Sequence, residues 1–135
     1  MQLHLDPSSA TPLYAQVVDQ VKTLVASGGM RAGEQLPSVR DLAVSLRVNR
    51  NTAAKAYQML EAEGVLATRA GHGTFVAAGS SRWSRQERFR RLERLADRLL
   101  VEAHHLNIPP AEIASLLERR LHAFEMNRPK STGKS

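Results

Sequence analysis

Two groups of side chains in this 135-residue chain could do chemistry, and they call for different kinds. Asp97, Glu102, His104, His105 and His122 form an acid–base or metal-ligand set, since carboxylates and imidazoles exchange protons or share a divalent cation. Their spacing argues against both uses. His104 and His105 are adjacent and would point in different directions on a helix, and no HExxH-type pair exists. The absence of cysteine removes thiolate ligands, disulfides and a cysteine nucleophile. No metal, cofactor or catalysis is therefore expected. The second group is Arg50 and Asn51, with Lys55 one turn on and Arg69, Gly71, His72 and Gly73 further along. Arginine can donate a pair of hydrogen bonds to O6 and N7 of guanine, and asparagine can pair with N6 and N7 of adenine. Lys55 could reach a phosphate. Any one such cation in isolation is a solvated surface charge, so the case rests on the elements that carry them.

Those elements are legible in order. Thr11-Pro12 reads as an N-cap with proline at the first helical position, and Leu13, Val17, Val21, Leu24 and Val25 recur at helical spacing up to Ser27-Gly28-Gly29. A turn-rich connector, Arg31 to Gln35, leads to Leu36-Pro37. Ser38-Val39-Arg40-Asp41 has the form of a capping box and opens a short helix with Val39, Leu42, Ala43 and Leu46 inward. Arg47-Val48 has room only for a turn. Asn49 caps a third helix, with Ala53, Ala56, Tyr57 and Leu60 inward and Gly64 as its stop. Two helices joined by a tight turn behind a first helix is helix-turn-helix spacing, and it puts Asn49 to Thr52 on the leading turn of the second helix. Ser38 and Tyr57 have structural tasks, capping and packing with a polar tip.

After Gly64 the period becomes alternating. Val65–Arg69 and Thr74–Ala77 flank Ala70-Gly71-His72-Gly73, whose glycines permit a tight hairpin. Alone, such a hairpin would merely cover a core. Placed behind a helix-turn-helix it is a wing, with Gly71 and Gly73 letting backbone approach the minor groove or the phosphates and Arg69 and His72 as donors.

The formal net charge is +6, but residues 1–78 carry seven Lys/Arg against six Asp/Glu. Bulk charge does not mark the first half as a polyanion binder; the pattern has to. The excess lies in residues 79–135, densest at Arg82, Arg85, Arg88, Arg90, Arg91, Arg94 and Arg98. This run is either a solvated helix face or an added set of phosphate contacts. Gly79-Ser80-Ser81 reads as a hinge. Beyond it Phe89, Leu92, Ala96, Leu99, Ala103 and Leu106 follow a 3,4 spacing, a heptad-like seam. Asn107-Ile108-Pro109-Pro110 separates it from a second helix with Ile113, Leu116, Leu117, Leu121 and Phe124 on its apolar face. Two such helices carry more apolar surface than they can bury on each other, so a second copy of the chain is the expected cover. Residues 128–135 are rich in Pro, Gly, Ser and Lys and read as a disordered tail.

Pro12-Leu13-Tyr14-Ala15-Gln16, the run Gly33 to Ala43, Asn49-Arg50-Asn51-Thr52, Tyr57, Leu60 to Gly64 and Gly71-His72-Gly73-Thr74-Phe75-Val76 together resemble the GntR family of bacterial regulators over residues 10–77. The short two-helix C-terminus is similar to its YtrA branch. The resemblance implies that Arg40 approaches the DNA backbone and neighbouring bases, that Arg50 reads bases or grips a specific phosphate, and that Asn51 and Thr52 hydrogen-bond to DNA. It also implies a repressor of an ABC-transporter operon with no large effector domain. Ala54 stands where many relatives carry a basic residue, so the base preference should be this chain's own.

The expected architecture is mainly α with a small β-hairpin: a winged helix-turn-helix over 1–78, a helical dimerisation domain over 79–127 and a tail over 128–135. Dimerisation would run through Phe89, Leu92, Ala96, Leu99, Ala103, Leu106, Leu117, Leu121 and Phe124. The expected function is sequence-specific operator binding as a homodimer. The rival reading is an architectural DNA binder with little sequence preference, which would want dispersed lysines and an apolar wedge. A small-molecule effector, if one acts, would sit around Leu99, Leu106, Ile113 or Phe124. No run approaches a membrane span and the first residues lack a secretory pattern, so the expected location is the cytoplasm.

Overall fold

The computed structural model describes residues 1–79 and 83–127. They form two units, one on either side of residues 80–82. Ser80 and Ser81 of the expected hinge, and the expected tail 128–135, lie outside the described residues.

The first unit contains α1 (Leu13–Ala26), α2 (Val39–Leu46), α3 (Arg50–Ala62) and a hairpin of β1 (Leu66–Arg69) and β2 (Gly73–Val76). Its core joins Val17, Val18 and Val21 of α1 to Leu42 and Ala43 of α2, and both sets to Ala53, Ala56, Tyr57 and Leu60 of α3. Met30, Leu36, Leu66 and Val76 close it. Apart from Tyr57 with its hydroxyl, no polar or charged side chain is buried among the described residues, so burial of apolar surface drives this packing.

The helix ends follow local chemistry. Ser38 caps α2, its hydroxyl accepting from the Asp41 N–H at 3.0 Å, and Arg47 ends that helix in the left-handed region at φ 57°. Asn49 caps α3, its Oδ1 accepting from the Asn51 N–H at 2.7 Å. The expected cap at Thr11 does not form. Pro12 is the N-cap residue, without a side-chain cap, and α1 begins at Leu13. Glutamines further along the helix hold the chain instead. Gln16 bonds the Asp6 N–H and the carbonyls of Asp6 and Thr11, and Gln20 bonds both backbone groups of His4.

The connector is also more than a turn. Gly33 N–H donates to Val76 O at 2.9 Å, Val76 N–H to Glu34 O at 2.8 Å and Leu36 N–H to Thr74 O at 2.8 Å, with a bridge between Gln35 and Phe75. Residues 33–36 therefore run along the outer edge of β2, whose backbone groups would otherwise face solvent unpaired.

The second unit is α4 (Arg85–His105), a single 3-10 turn (Pro110–Glu112) and α5 (Ile113–Asn127). α4 starts at Arg85 because Ser84 caps it, accepting from the Glu87 N–H at 3.1 Å. Asn107, at φ 59°, turns the chain. Among the described residues of this unit only Ala103 and Ile113 are buried, both near the corner between the helices. No helix among the described residues is long and apolar enough to cross a membrane.

Candidate nucleic-acid interface

A helix-turn-helix presents the first turn of its second helix, and here that turn is the start of α3. Asn49, Arg50 and Asn51 are exposed, and Thr52 is half-buried. The Asn49 Oδ1 is committed to capping, which leaves that side chain only its amide donors. Arg50 forms no ion pair among the described residues. Arg40, on the first turn of α2, is equally exposed and unpaired.

Arg47, which spacing alone places in a turn with no further task, joins them. It is exposed, makes no ion pair among the described residues, and sits just past the C-terminal end of α2, in the turn that leads to α3.

Three acids of this unit are occupied by partners of their own. Glu63 pairs with Lys22 at 2.6 Å, tying α3 to α1. Glu61 accepts from the Thr68 hydroxyl, and Asp6 accepts from Ser8, whose hydrogen bonds hold the Asp6 carboxyl below the usual carboxylate range. Arg40, Arg47 and Arg50 are thus three exposed cations without an ion pair among the described residues, in a unit that is nearly neutral overall.

Lys55 is placed differently from its neighbours. Its Nζ lies 3.9 Å from the centroid of the Tyr14 ring, a cation–π contact in which the exposed side chain leans on α1. Tyr57 is buried, and its hydroxyl donates to Pro37 O at 2.7 Å; burial pushes its phenol pKa well above the ordinary value. That bond anchors the residue just before the Ser38 cap and so sets the entry of α2.

The wing tip is a tight turn: His72 N–H donates to Arg69 O at 2.9 Å, with Gly71 at φ 79° in the position that requires it. Gly73 has φ 110°, and a Cβ there would lie 2.7 Å from Gln35 Nε2. Gln35 in turn donates to His72 O at 2.9 Å. The connector therefore braces the tip, a role for Gln35 that the sequence did not disclose. Arg69 and His72 are exposed, and the Arg69 guanidinium stacks 4.7 Å from the Phe75 ring centroid.

In the second unit the expected seam residues are mostly uncovered. Phe89 is 50% exposed, Leu92 58%, Leu106 70%, Leu117 52% and Leu121 61%. Phe124 and Ala96 are exposed as well, Leu99 is half-buried and Ala103 buried. An open groove at the corner is lined by Leu100, Ala103, His104, Ile108, Pro110 and Ile113, among others. Of the residues expected around an effector, Ile113 lines it, whereas Leu99, Leu106 and Phe124 do not. The His104 and His105 rings, expected to point apart, meet edge to face at 5.2 Å. Among the described residues no three His, Cys, Asp or Glu side chains gather as a metal site would need.

The family of bacterial regulatory proteins named for gntR matches residues 13–76, from the first residue of α1 to the last of β2. The HTH-type transcriptional repressor YtrA of Bacillus subtilis is 35% identical over 106 residues, covering 78% of this chain and 82% of that protein. The chain belongs to the gntR family. YtrA from Sulfolobus acidocaldarius, a GntR-family transcription factor, is 36% identical with a TM-score of 0.54, covering 70% of this chain and 97% of that one. A transcriptional antiterminator from Listeria monocytogenes EGD-e superimposes with a TM-score of 0.80 at 26% identity, over 100% of this chain and 98% of that one. The protein is accordingly a DNA-binding transcriptional regulator of the winged helix-turn-helix type, with the YtrA resemblance read from the sequence, and its family is one of regulators rather than enzymes.

Proposed function

We propose that this regulator is a cytoplasmic repressor that binds a roughly palindromic operator as a homodimer. Each protomer would set the leading turn of α3 into one of two successive major grooves. Arg50 and Asn51 would discriminate bases, while Arg40, Thr52 and Lys55 and the wing residues Arg69, Gly71, His72 and Gly73 would hold phosphates or the minor groove. The observation that supports this reading best is the leading turn itself: Arg50 is exposed and unpaired beside a cap that fixes its backbone. Dimerisation is supported by the exposed apolar stripes of α4 and α5, which a lone protomer would leave in water. The target suggested by the YtrA resemblance is a transporter operon, and an effector would act by binding the operator-competent and incompetent arrangements unequally.

Selection of bound fragments from genomic DNA, followed by competition against random duplex, tests this directly. A regulator should enrich a two-fold repeat and prefer it by ~10³-fold or more. Arg50→Ala should weaken operator binding by about 1–3 kcal/mol, roughly 5- to 150-fold, and relax the preference at one position of each half-site. Binding that is indifferent to sequence would favour the architectural alternative, and an Arg50→Ala variant as tight as wild type would overturn the assignment of the reading helix.

A further inference from the structure

We infer that α4 carries a second phosphate-binding surface, the stripe Arg91, Arg94 and Arg98, which grips duplex DNA outside the operator bases. This inference rests on the operator-binding reading given above. Between Trp83 and Arg98 the chain has six arginines, no lysine, and three acids, Glu87, Glu93 and Asp97. One carboxylate serves three guanidinium groups: Glu87 lies 3.0 Å from Arg90, 3.0 Å from Arg91 and 3.9 Å from Arg94. A single negative charge cannot neutralise three positive ones, so the cluster is gathered by its carboxylate and left cationic. Arg91 is held further by stacking 3.6 Å from the centre of the Trp83 ring. Arg98 makes no ion pair among the described residues. Side chains fixed in this way lose less freedom on meeting an anion, and the planar guanidinium matches phosphate in a paired geometry that an ammonium lacks.

Position on the helix decides whether the stripe is free. At 100° per residue, Arg91, Arg94 and Arg98 share one face, roughly 150° around from Phe89, Leu92, Ala96 and Leu99. Covering the apolar seam with a second copy therefore leaves the stripe open to solvent. Asp97 and Glu93 lie to its far side, and Glu102 ends it toward the C-terminus. The concentration of positive charge in the first half of the helix also goes against the helix dipole, which disfavours cations there, so an anionic partner relieves more than it would at the other end. The partner is DNA because phosphate is the anion that a guanidinium stripe matches, and the same chain carries the helix-turn-helix unit that brings it to a duplex.

The test compares the full chain with Arg94→Ala/Arg98→Ala, which spares the Arg91–Trp83 stack. A control, Arg119→Ala/Arg120→Ala on α5, removes the same charge. Each is titrated between 50 and 200 mM salt with two duplexes, one ending at the operator and one carrying a further helical turn on both sides. Helix content and oligomeric state are checked for every variant. On the longer duplex the slope of log K against log salt should become shallower by about 0.9 for each phosphate no longer gripped, so by up to ~2 per protomer. On the short duplex it should match wild type, and the α5 variant should match wild type on both. An unchanged slope in the α4 variant, an equal change in the α5 variant, or a shallower slope that persists on the short duplex overturns the inference. If the wild-type chain shows no operator preference, the operator-binding reading fails instead. The same slopes measured on random duplex still decide the fate of the stripe.

Discussion

Gly73 offers a quantitative test of how the wing is held. A methyl group at this position meets two separate obstacles. Its φ of 110° lies where a side chain is strained, at a cost of roughly 1–3 kcal/mol. The added Cβ would also sit 2.7 Å from Gln35 Nε2, so the amide must move and give up its 2.9 Å bond to His72 O, worth about 0.5–1.5 kcal/mol. Gly73→Ala should therefore cost about 2–4 kcal/mol in all. Gly71→Ala provides the reference. Its φ of 79° is strained too, but a Cβ there meets nothing within 4 Å, so only the first cost of about 1–2 kcal/mol applies.

For a unit of this size each kcal/mol lowers the melting temperature by about 4–8 °C, which separates the two variants in a thermal melt. Hydrogen exchange should locate the damage, with the Leu36 and His72 amides losing protection before the core of α1 and α3. The decisive comparison is a double-mutant cycle. Gln35→Ala removes the bond and also the obstacle, so Gly73→Ala should cost less in that background by about 1 kcal/mol. Equal melting temperatures for the two glycine variants, together with strict additivity in the cycle, would refute the idea that Gln35 braces the tip.

Three further outcomes follow from the same geometry. Tyr57→Phe should lower stability by about 0.5–1.5 kcal/mol near neutral pH, because Pro37 O loses its donor. The raised phenol pKa means that the unfolded chain sheds this proton first, so stability is lost as pH climbs past about 10; the variant should show a flatter alkaline limb in denaturant titrations. Ser38→Ala removes the acceptor for the Asp41 N–H and should cost about 1 kcal/mol, seen as a melting temperature some 4–8 °C lower. Leu92→Asp or Leu121→Asp, each at a position more than half exposed in the single chain, should raise the dimer dissociation constant about 100-fold or more, since each buried leucine contributes about 1.5–3 kcal/mol in both protomers. Analytical ultracentrifugation reads that change, and unaltered sedimentation in both variants would remove the seam from the interface.

What the sequence disclosed about this fold was whatever depends on near neighbours. Ser38 and Asn49 cap the helices they were expected to cap because a short polar side chain satisfies an N–H two or three residues away. Ala53, Ala56, Tyr57 and Leu60 are buried together because helical period alone puts them on one face. Pairings made across the fold were not visible. Nothing in Glu34-Gln35 announces an edge strand, since its partner β2 lies some forty residues on and the pairing exists only once the hairpin is folded. Lys55 gave no hint that it would settle on Tyr14. Glu87 suggested one partner by its four-residue spacing to Arg91, yet it gathers three. The leading turn of the candidate site was therefore readable from spacing, and the bracing of its wing was not.

The seam of α4 is a case in which periodicity says more than one chain's packing does. Phe89, Leu92, Ala96, Leu99, Ala103 and Leu106 alternate steps of three and four, the pattern of a repeat with a period of about 3.5, whereas an α-helix turns about every 3.6. The stripe consequently drifts around the helix by about 20° per heptad, or roughly 50° over its length. A partner helix can stay on such a stripe only by winding left-handedly across it, at a crossing angle near 20°. A steeply crossed packing would cover the middle of the seam and leave Phe89 or Leu106 in water. On the proposed dimer, the spacing would call for a near-parallel or near-antiparallel helix packed along the whole of α4, and the strongly exposed residues at both ends of the seam are those such a partner would bury last.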